Sequence, residues 1–284
     1  MIPFKNANVT VLQSSLVQTN STVIQTKDMI LVVDPAWLPK EVEQLKNEVS
    51  RKRNGRPVYL LFTHSHYDHV LGYGAFENSQ TIASEGVADN PDKEKVIKKI
   101  KDFDDEFYLH RNYEIRYPKI NYLVREDGQK IKIGSTELTF YKSPGHTADG
   151  IFTLIDSLGV FIAGDHLSDV EFPFIEDSRD YEETLLKSEW ITQNHPVKLL
   201  VPGHGKPVED PEEIRRRQQN DLMYIRELRK SISGGENSQN LENYINQYQF
   251  IGGIRRNHYN NIAVIKGELG INGLNGRERG SIIK

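Results

Sequence analysis

The segment Leu60 to Gly74, LLFTHSHYDHVLGYG, places His64, His66, Asp68 and His69 within six residues. Imidazole nitrogens and carboxylate oxygens share one strong use: both donate lone pairs to borderline divalent cations at about 2.0–2.2 Å. The preceding PVYLLF has strand-like character, and side chains alternate along a strand. The turn that follows can therefore aim His64 and His66 at one point while Asp68 and His69 face a neighbouring one. A single short motif can serve two metals.

Three further segments repeat this grammar, an apolar strand ending in a Gly-containing turn that carries a donor. They are His146 in FYKSPGHTADG, Asp165 in VFIAGDHLSD and His204 in LLVPGHGKP. Taken singly, such a His is an ordinary surface or capping residue and such an Asp a turn former. With the first motif they make seven candidate ligands at one sheet edge. Asp34, in LVVDPAW, ends a strand at the same edge, where it would orient a ligand or simply form a turn. His166, directly after Asp165, and His258, in RRNHYNN, are candidates to touch substrate, as are Tyr73, Phe76, Phe172 and Phe174 if their side chains face inward. His110 and His195 stand outside the pattern. Helical spacing makes core packing the expected role of Tyr181 and Trp190.

The elements that must position these groups are legible as alternating strands and helices. VTVLQ, STVIQT, DMILVVD and VYLLFTH read as strands. PKEVEQLKNEVSRKRNG reads as an amphipathic helix, with Pro39 at its start, Val42, Leu45 and Val49 on one face, and Gly55 as its stop. Residues 88–125 are polar and charged, an insertion expected to hold one or two helices over the sheet edge. Strands resume with QKIKI, ELTFYKSPGH, GIFTLID and GVFIAGD. A helix follows from Asp180, with Glu183 completing a capping box, and then the strand VKLLVPGHG. After Gly205, DPEEIRRRQQNDLMYIRELRKSISGG reads as a long helix, followed by two shorter ones and a polar tail expected to fray.

Composition narrows the classes. The chain has 284 residues, 37% hydrophobic and 27% charged, ordinary for a soluble globular protein. Its apolar runs fall far short of the ~20 residues a bilayer span requires, and MIPFKNANVTVLQ lacks the pattern of a secretory signal. Without cysteine there are no disulfides, thiolate ligands or thiol nucleophiles, and cytoplasm is the default compartment. A net charge of −4 offers no global attraction to nucleic acid. The basic runs KEKVIKKIK and EEIRRRQQ read as solvated helix faces.

Taken in order, THSHYDH, SPGHTADG, FIAGDHL and VPGHGKP resemble the metallo-β-lactamase superfamily, from Val9 to about Pro207. The resemblance implies an α/β (α+β) four-layer αββα sandwich: residues 1–208 as the catalytic domain, with the 88–125 insertion, and 209–284 as a C-terminal helical extension. It implies that His64, His66 and His146 hold one metal, that Asp68, His69 and His204 hold the other, and that Asp165 bridges them. The implied cofactors are two divalent metal ions, zinc foremost, with iron or manganese compatible with the same donors.

Departures narrow the branch. Asp165 stands where cysteine-bearing β-lactamases keep Cys, and His66 where flavodiiron proteins carry Glu. No nucleic-acid arm like that of ribonuclease Z is evident. PGHGKP looks like the glyoxalase II and lactonase style of ending, although no Tyr closely follows Asp165 as in lactonases. The C-terminal Arg255 and Arg256 do not make a convincing glutathione site. The expected activity is hydrolysis of a small thioester, lactone or ester by a metal-bridging hydroxide, with Asp165 and Asp68 as the catalytic carboxylates. The alternatives are a phosphodiesterase or nuclease of the same fold, an iron-dependent oxidoreductase resembling persulfide dioxygenases, and a metal-binding module without turnover. The expected partner is a small molecule, with no nucleic acid and no membrane; oligomeric state stays open.

Overall fold

Apolar alternation along the strands decides the layers of this chain, which a computed structural model describes over residues 1–234 and 239–271. Strands β1 (Phe4–Lys5), β2 (Val9–Gln13), β3 (Asn20–Gln25) and β4 (Ile30–Val33) form an antiparallel meander. Strands β5 (Val58–Leu61), β6 (Gln80–Ser84) and β7 (Tyr122–Val124) extend it in parallel, giving a seven-stranded sheet in chain order. The second sheet holds β8 (Gln129–Ile133), β9 (Thr136–Lys142), β10 (Ile151–Ile155) and β11 (Val160–Ile162), antiparallel, with β12 (Leu199–Val201) parallel to β11.

Central strands are buried on both faces and so read as continuous apolar runs. In β4, Leu31 and Val33 point between the sheets, where they meet Leu138, Phe140, Ile162 and Val201. Their neighbours Ile30 and Val32 point outward, onto Val42, Leu45 and Val49 of helix α1 (Pro39–Arg53). On the far side, Phe152, Leu154, Phe161 and Leu200 pack against helices α5 (Ser178–Asn194), α6 (Pro211–Gly234), α7 (Gln239–Asn246) and α8 (Ile251–Glu268). The result is helix, sheet, sheet, helix. Each fully buried aliphatic or aromatic side chain contributes about 1.5–3 kcal/mol, enough for the interior to hold the sheet edge rigid. No helix among the described residues is long and apolar enough to cross a membrane.

Several elements differ from the sequence expectation. Helix α5 starts earlier than Asp180: Asp177 is its cap, with its carboxylate accepting the N–H groups of Arg179 and Asp180, both at 2.9 Å. Strand β6 is an element the sequence does not mark, since QTIAS is short and largely polar. The 88–125 region holds the end of a four-residue helix, α3 (Glu85–Ala88), and one long helix, α4 (Lys93–Glu106). It closes with β7, whose Tyr122 to Val124 pair with Ile82 to Ser84, so the segment supplies the sheet's last strand. Tyr181 is buried as expected, whereas Trp190 is 48% exposed and packs edge-on to the rings of Tyr141 and His195. The expected frayed tail begins beyond the described residues.

Helix α6 also buries a carboxylate. Asp221 accepts a 3.4 Å hydrogen bond from the Tyr244 hydroxyl, and burial pushes its carboxyl up to about 8 against the pull of Arg217. In the unfolded chain an Asp titrates near ~3.9. Below that pH both states hold the proton; between there and about 8 only the unfolded chain releases it, so stability falls as pH rises through this window. Asp221→Asn is therefore expected to raise the melting temperature by a few degrees at pH 8 and hardly at all near pH 4. Thermal denaturation at the two pH values checks this; an equal gain at both would count against it.

Candidate metal centre

Register brings the donors to one edge. Val33 pairs with Leu61 in β4 and β5, and Ile162 with Val201 in β11 and β12. Asp34 follows directly after Val33, while His64, Asp165 and His204 each lie three residues beyond a paired position. Helix α2 (Tyr67–Val70) then turns Asp68 and His69 inward. His146 comes from the turn after β9, at the edge where the Ile151 N–H donates to the Thr63 carbonyl at 2.9 Å and ties the two sheets together.

The Asp165 carboxylate lies between two groups of donors. Its Oδ2 is 3.1 Å from His146 Nε2 and 3.7 Å from His64 Nε2. Its Oδ1 is 3.1 Å from His69 Nε2 and 3.2 Å from His204 Nε2. His66 completes the first group, its Nδ1 lying 3.1 Å from His146 Nε2. Asp68 completes the second, its Oδ2 lying 3.7 Å from His69 Nε2 and 3.6 Å from His204 Nε2. The structure thus gathers the seven candidate ligands into two clusters, His64, His66 and His146 with Asp165, and Asp68, His69 and His204. A third group joins Glu171 to Asp165 and His204. Nothing local marks Glu171 except an acid flanked by apolar residues in DVEFPF, shortly after Asp165.

The outer nitrogens of four rings are anchored, which turns the inner ones toward the centre. Asp34 accepts from Thr63 N–H at 2.8 Å, from Thr63 Oγ1 at 2.6 Å and from His69 Nδ1 at 2.9 Å. Because the Thr63 hydroxyl proton goes to Asp34, its oxygen accepts from His64 Nδ1 at 3.0 Å. Asp34 therefore orients His69 directly and His64 through Thr63. His146 Nδ1 donates to the Phe174 carbonyl at 3.0 Å and His204 Nδ1 to that of Val17 at 2.8 Å. Each ring is left with an Nε2 lone pair facing inward, the arrangement metal-binding imidazoles adopt.

The residues present fit divalent metal binding. His64 Nε2 is buried with no hydrogen-bond partner, a cost of about 1–3 kcal/mol unless another group takes the lone pair. Burial works against protonating His69, but Asp165, Asp68 and Asp34 outweigh it and hold this ring well above its ordinary value. The acid-rich half of the centre calls for positive charge. His64 moves the other way, driven well below its ordinary value by burial and by His69, so it offers a neutral donor.

Close backbone approach locks the loops. A side chain on Gly203 would meet Asp165 Oδ1 at 2.2 Å, and one on Gly145, at a φ of +112°, would meet the Tyr181 backbone nitrogen at 2.2 Å. Helix α6 supplies the other constraint. The buried Arg217 donates to the carbonyls of Leu167 at 3.1 Å and Lys206 at 3.0 Å, joining the loops that carry Asp165 and His204, while Glu213 holds its Nε at 2.9 Å.

Two cavities open beside His66. One is walled by Lys95 and Lys99 of α4 together with Asp149 and Glu176, the other by Lys99, Phe174, Glu176 and the α8 residues Asn257 and Asn260. Both α4 and the C-terminal α8 thus overhang the metal edge. Of the pocket candidates, Phe174 lines this space. The others have packing roles. Tyr73 sits edge-on to Phe62 and beneath Arg116, and Phe76 lies in the layer under α1. Phe172 stacks among Tyr224, Tyr248 and His258. His258 accepts the Tyr224 hydroxyl at 2.8 Å. His166 is 2% exposed between Phe152 and Tyr181, and burial lowers it to about 3. Lys99 and the α8 asparagines were missed because nothing local marks which residue of a polar helix faces a distant loop.

Comparison with known proteins agrees with this geometry. The family model of the metallo-beta-lactamase superfamily matches residues 15–210. The chain is 24% identical over 200 residues to a type 2 metallo-beta-lactamase of Bacillus sp. (strain 170), covering 67% of this chain and 68% of that one. It is 26% identical over 220 residues to the beta-lactamase-like protein 2 homolog of Caenorhabditis elegans, covering 75% and 66%. Among solved structures, a metallo-beta-lactamase family protein of Thermus thermophilus superposes with a TM-score of 0.64 at 16% identity, over 95% of this chain and 97% of that one. A variant of a sec-alkyl sulfatase superposes with a TM-score of 0.64 at 13% identity, over 81% of this chain but 42% of the sulfatase. The structural likenesses show the fold.

The anchoring network gives contrasting expectations. Asp34→Ala releases both His64 and His69 and should weaken metal binding at both clusters, by about 10–100-fold. Arg217→Ala should loosen the Asp68, His69 and His204 cluster more than the other. Competition with a chromogenic chelator measures both; equal weakening of the two sites in Arg217→Ala would contradict the role given to that residue.

Proposed function

The chain belongs to the metallo-beta-lactamase superfamily, and from that premise we propose a dinuclear metal-dependent hydrolase acting on a small acyl compound, a thioester, lactone or ester. The observation that carries the reading is the Asp165 carboxylate set between two imidazole groups, with one oxygen toward each. Two divalent ions bound there, zinc in our proposal, would bring a shared water toward a pKa of about 7 and polarise the oxygen of the scissile group.

The chain's own residues do the rest. Asp34 and Thr63 keep His64 and His69 aimed during turnover, so the centre needs no reorganisation as charge develops. Asp68, buried beside His69 and His204, would take the proton of the attacking water. Phe174 and Ile175 form an apolar wall next to His66 and His146, which favours a partly apolar acyl group and excludes competing water.

Charge around the approach speaks for a small substrate over a polynucleotide. The larger cleft, about 570 Å³, carries Asp89, Asp92, Asp149 and Glu176 against Lys95 and Lys99. Lys95 is already paired with Asp92 at 2.6 Å. A nuclease needs clustered cations to offset successive phosphates, and here acids outnumber them.

Purified protein should contain two metals per chain by elemental analysis, and Asp165→Ala should lose both most of the metal and most of the activity. Hydrolysis of short thioesters or lactones should vanish on chelation and depend weakly on salt. Cleavage of RNA or a phosphodiester about a hundredfold more efficient than any ester, thioester or lactone would replace this reading with a phosphodiesterase of the same fold.

A further inference from the structure

The wall beside His66 and His146 is built by two helices outside the ligand motifs. A cavity of about 160 Å³ lies there, with Lys99 of α4 on one side and Asn257 and Asn260 of α8 on the other. Helix α4 buries Ile100 and packs Val96, Ile97 and Phe103 onto the protein. Lys99, next to Ile100, is thereby set at the border of the buried stripe, and its ammonium lies 5.8 Å from the centre of the Tyr67 ring. No carboxylate among the described residues pairs with it within 4 Å. Asn261 fixes the position of α8 against the wall: it donates to the Pro173 carbonyl at 2.6 Å and to Tyr224 Oη at 2.9 Å, and accepts from Ile175 N–H at 2.9 Å. Asn257 and Asn260, both half-buried, make no such bonds and line the cavity.

Lys99, exposed at the rim and electrostatically coupled to Glu176, and two asparagines with no side-chain hydrogen bond among the described residues line one small space, a donor-bearing surface complementary to an anion. Glu176, on the same wall, sets the size of that anion's charge. A phosphate would turn a second negative charge toward Glu176 with one cation to balance both, whereas a carboxylate matches the single ammonium. Resting on the hydrolase reading above, we infer that the acyl part of the substrate carries a free carboxylate docked on Lys99, Asn257 and Asn260. The substrate class is then a half-thioester or half-ester of a short dicarboxylic acid, held with its free end on α4 and α8 and its reacting end at the metal cluster. The leaving group departs through the larger cleft on the other side of Lys99.

Calorimetry on the zinc-loaded full-length protein tests this with two probes, glutarate and butyrate, which share the end that can meet the metals and differ at the other. The wild type is expected to bind glutarate about tenfold or more tighter than butyrate. Lys99→Met should abolish that advantage and leave butyrate unchanged, the double replacement of Asn257 and Asn260 by Ala should reduce it, and Glu176→Gln should increase it. Equal binding of the two probes by the wild type, or equal weakening of both in Lys99→Met, overturns the inference. Turnover of glutaryl and butyryl thioesters is read separately. A Lys99-dependent preference in binding without hydrolysis of any thioester, ester or lactone upholds the subsite and refutes the hydrolase reading. Hydrolysis of both thioesters with the same KM upholds the hydrolase and refutes the subsite.

Discussion

A carboxylate buried between four imidazoles is the constraint on which the rest of the structure depends. Asp165 lies about 3.1–3.7 Å from the Nε2 atoms of His64, His69, His146 and His204. A charge removed from water is costly unless it is paired and its geometry held. Here the pairing comes from three segments, the motif after β5 that carries His64 and His69 and the loops of His146 and His204, so these and the Asp165 loop must keep fixed positions relative to one another. The glycine that lets Asp165 approach the His204 loop, the Asp34 and Thr63 bonds beneath the first motif, and the Arg217 clamp all serve that single requirement.

The four layers supply the rigidity. Parallel pairing of β4 with β5 and of β11 with β12 ends at matched levels, so donors a fixed number of residues further on arrive together. The sheets themselves are held by apolar contact on both faces, and polar bonds join them at the metal edge. The Asn20 side chain, from β3, donates to the carbonyls of Pro202 and Gly205 at 2.9 and 2.8 Å. Gln13 donates to that same Gly205 carbonyl at 2.7 Å. The N-terminal meander is thus part of the metal centre's support although it contributes no candidate ligand.

The parts of the chain that border the candidate centre differ from those that carry the candidate ligands. The ligand motifs leave the space beside His66 open, and α4 and α8 close it from opposite sides. Neither helix belongs to the sandwich sheets, and α8 lies beyond the 15–210 region matched by the family model. Segments that spring from such an edge can change without disturbing the core, as binding segments on a rigid scaffold generally do.

How far the sequence could be read follows from the range of each interaction. The candidate metal donors were legible because each sits in a short motif at the end of an apolar strand, where residue type and spacing are local facts. The central strands, α1 and α6 were legible for the same reason, since alternation and 3.6-residue spacing are written into neighbouring residues. Strand β6 was not, because QTIAS is short and polar and becomes a strand only by lying between β5 and β7. Trp190 has the spacing of a core residue yet stays on the surface, since packing of α5 is decided by which face meets α6. Lys99 resembled any solvated lysine, and Phe172 and His258 resembled pocket residues, until the layers put the first over the metal edge and the other two in the helical core. By itself, then, the sequence determined the family, the frame and the candidate donor set placed on it. Only the tertiary structure decided what surrounds the donors, because those neighbours come from helices far apart in the chain, brought together by burial of apolar faces that say nothing about their partners in advance.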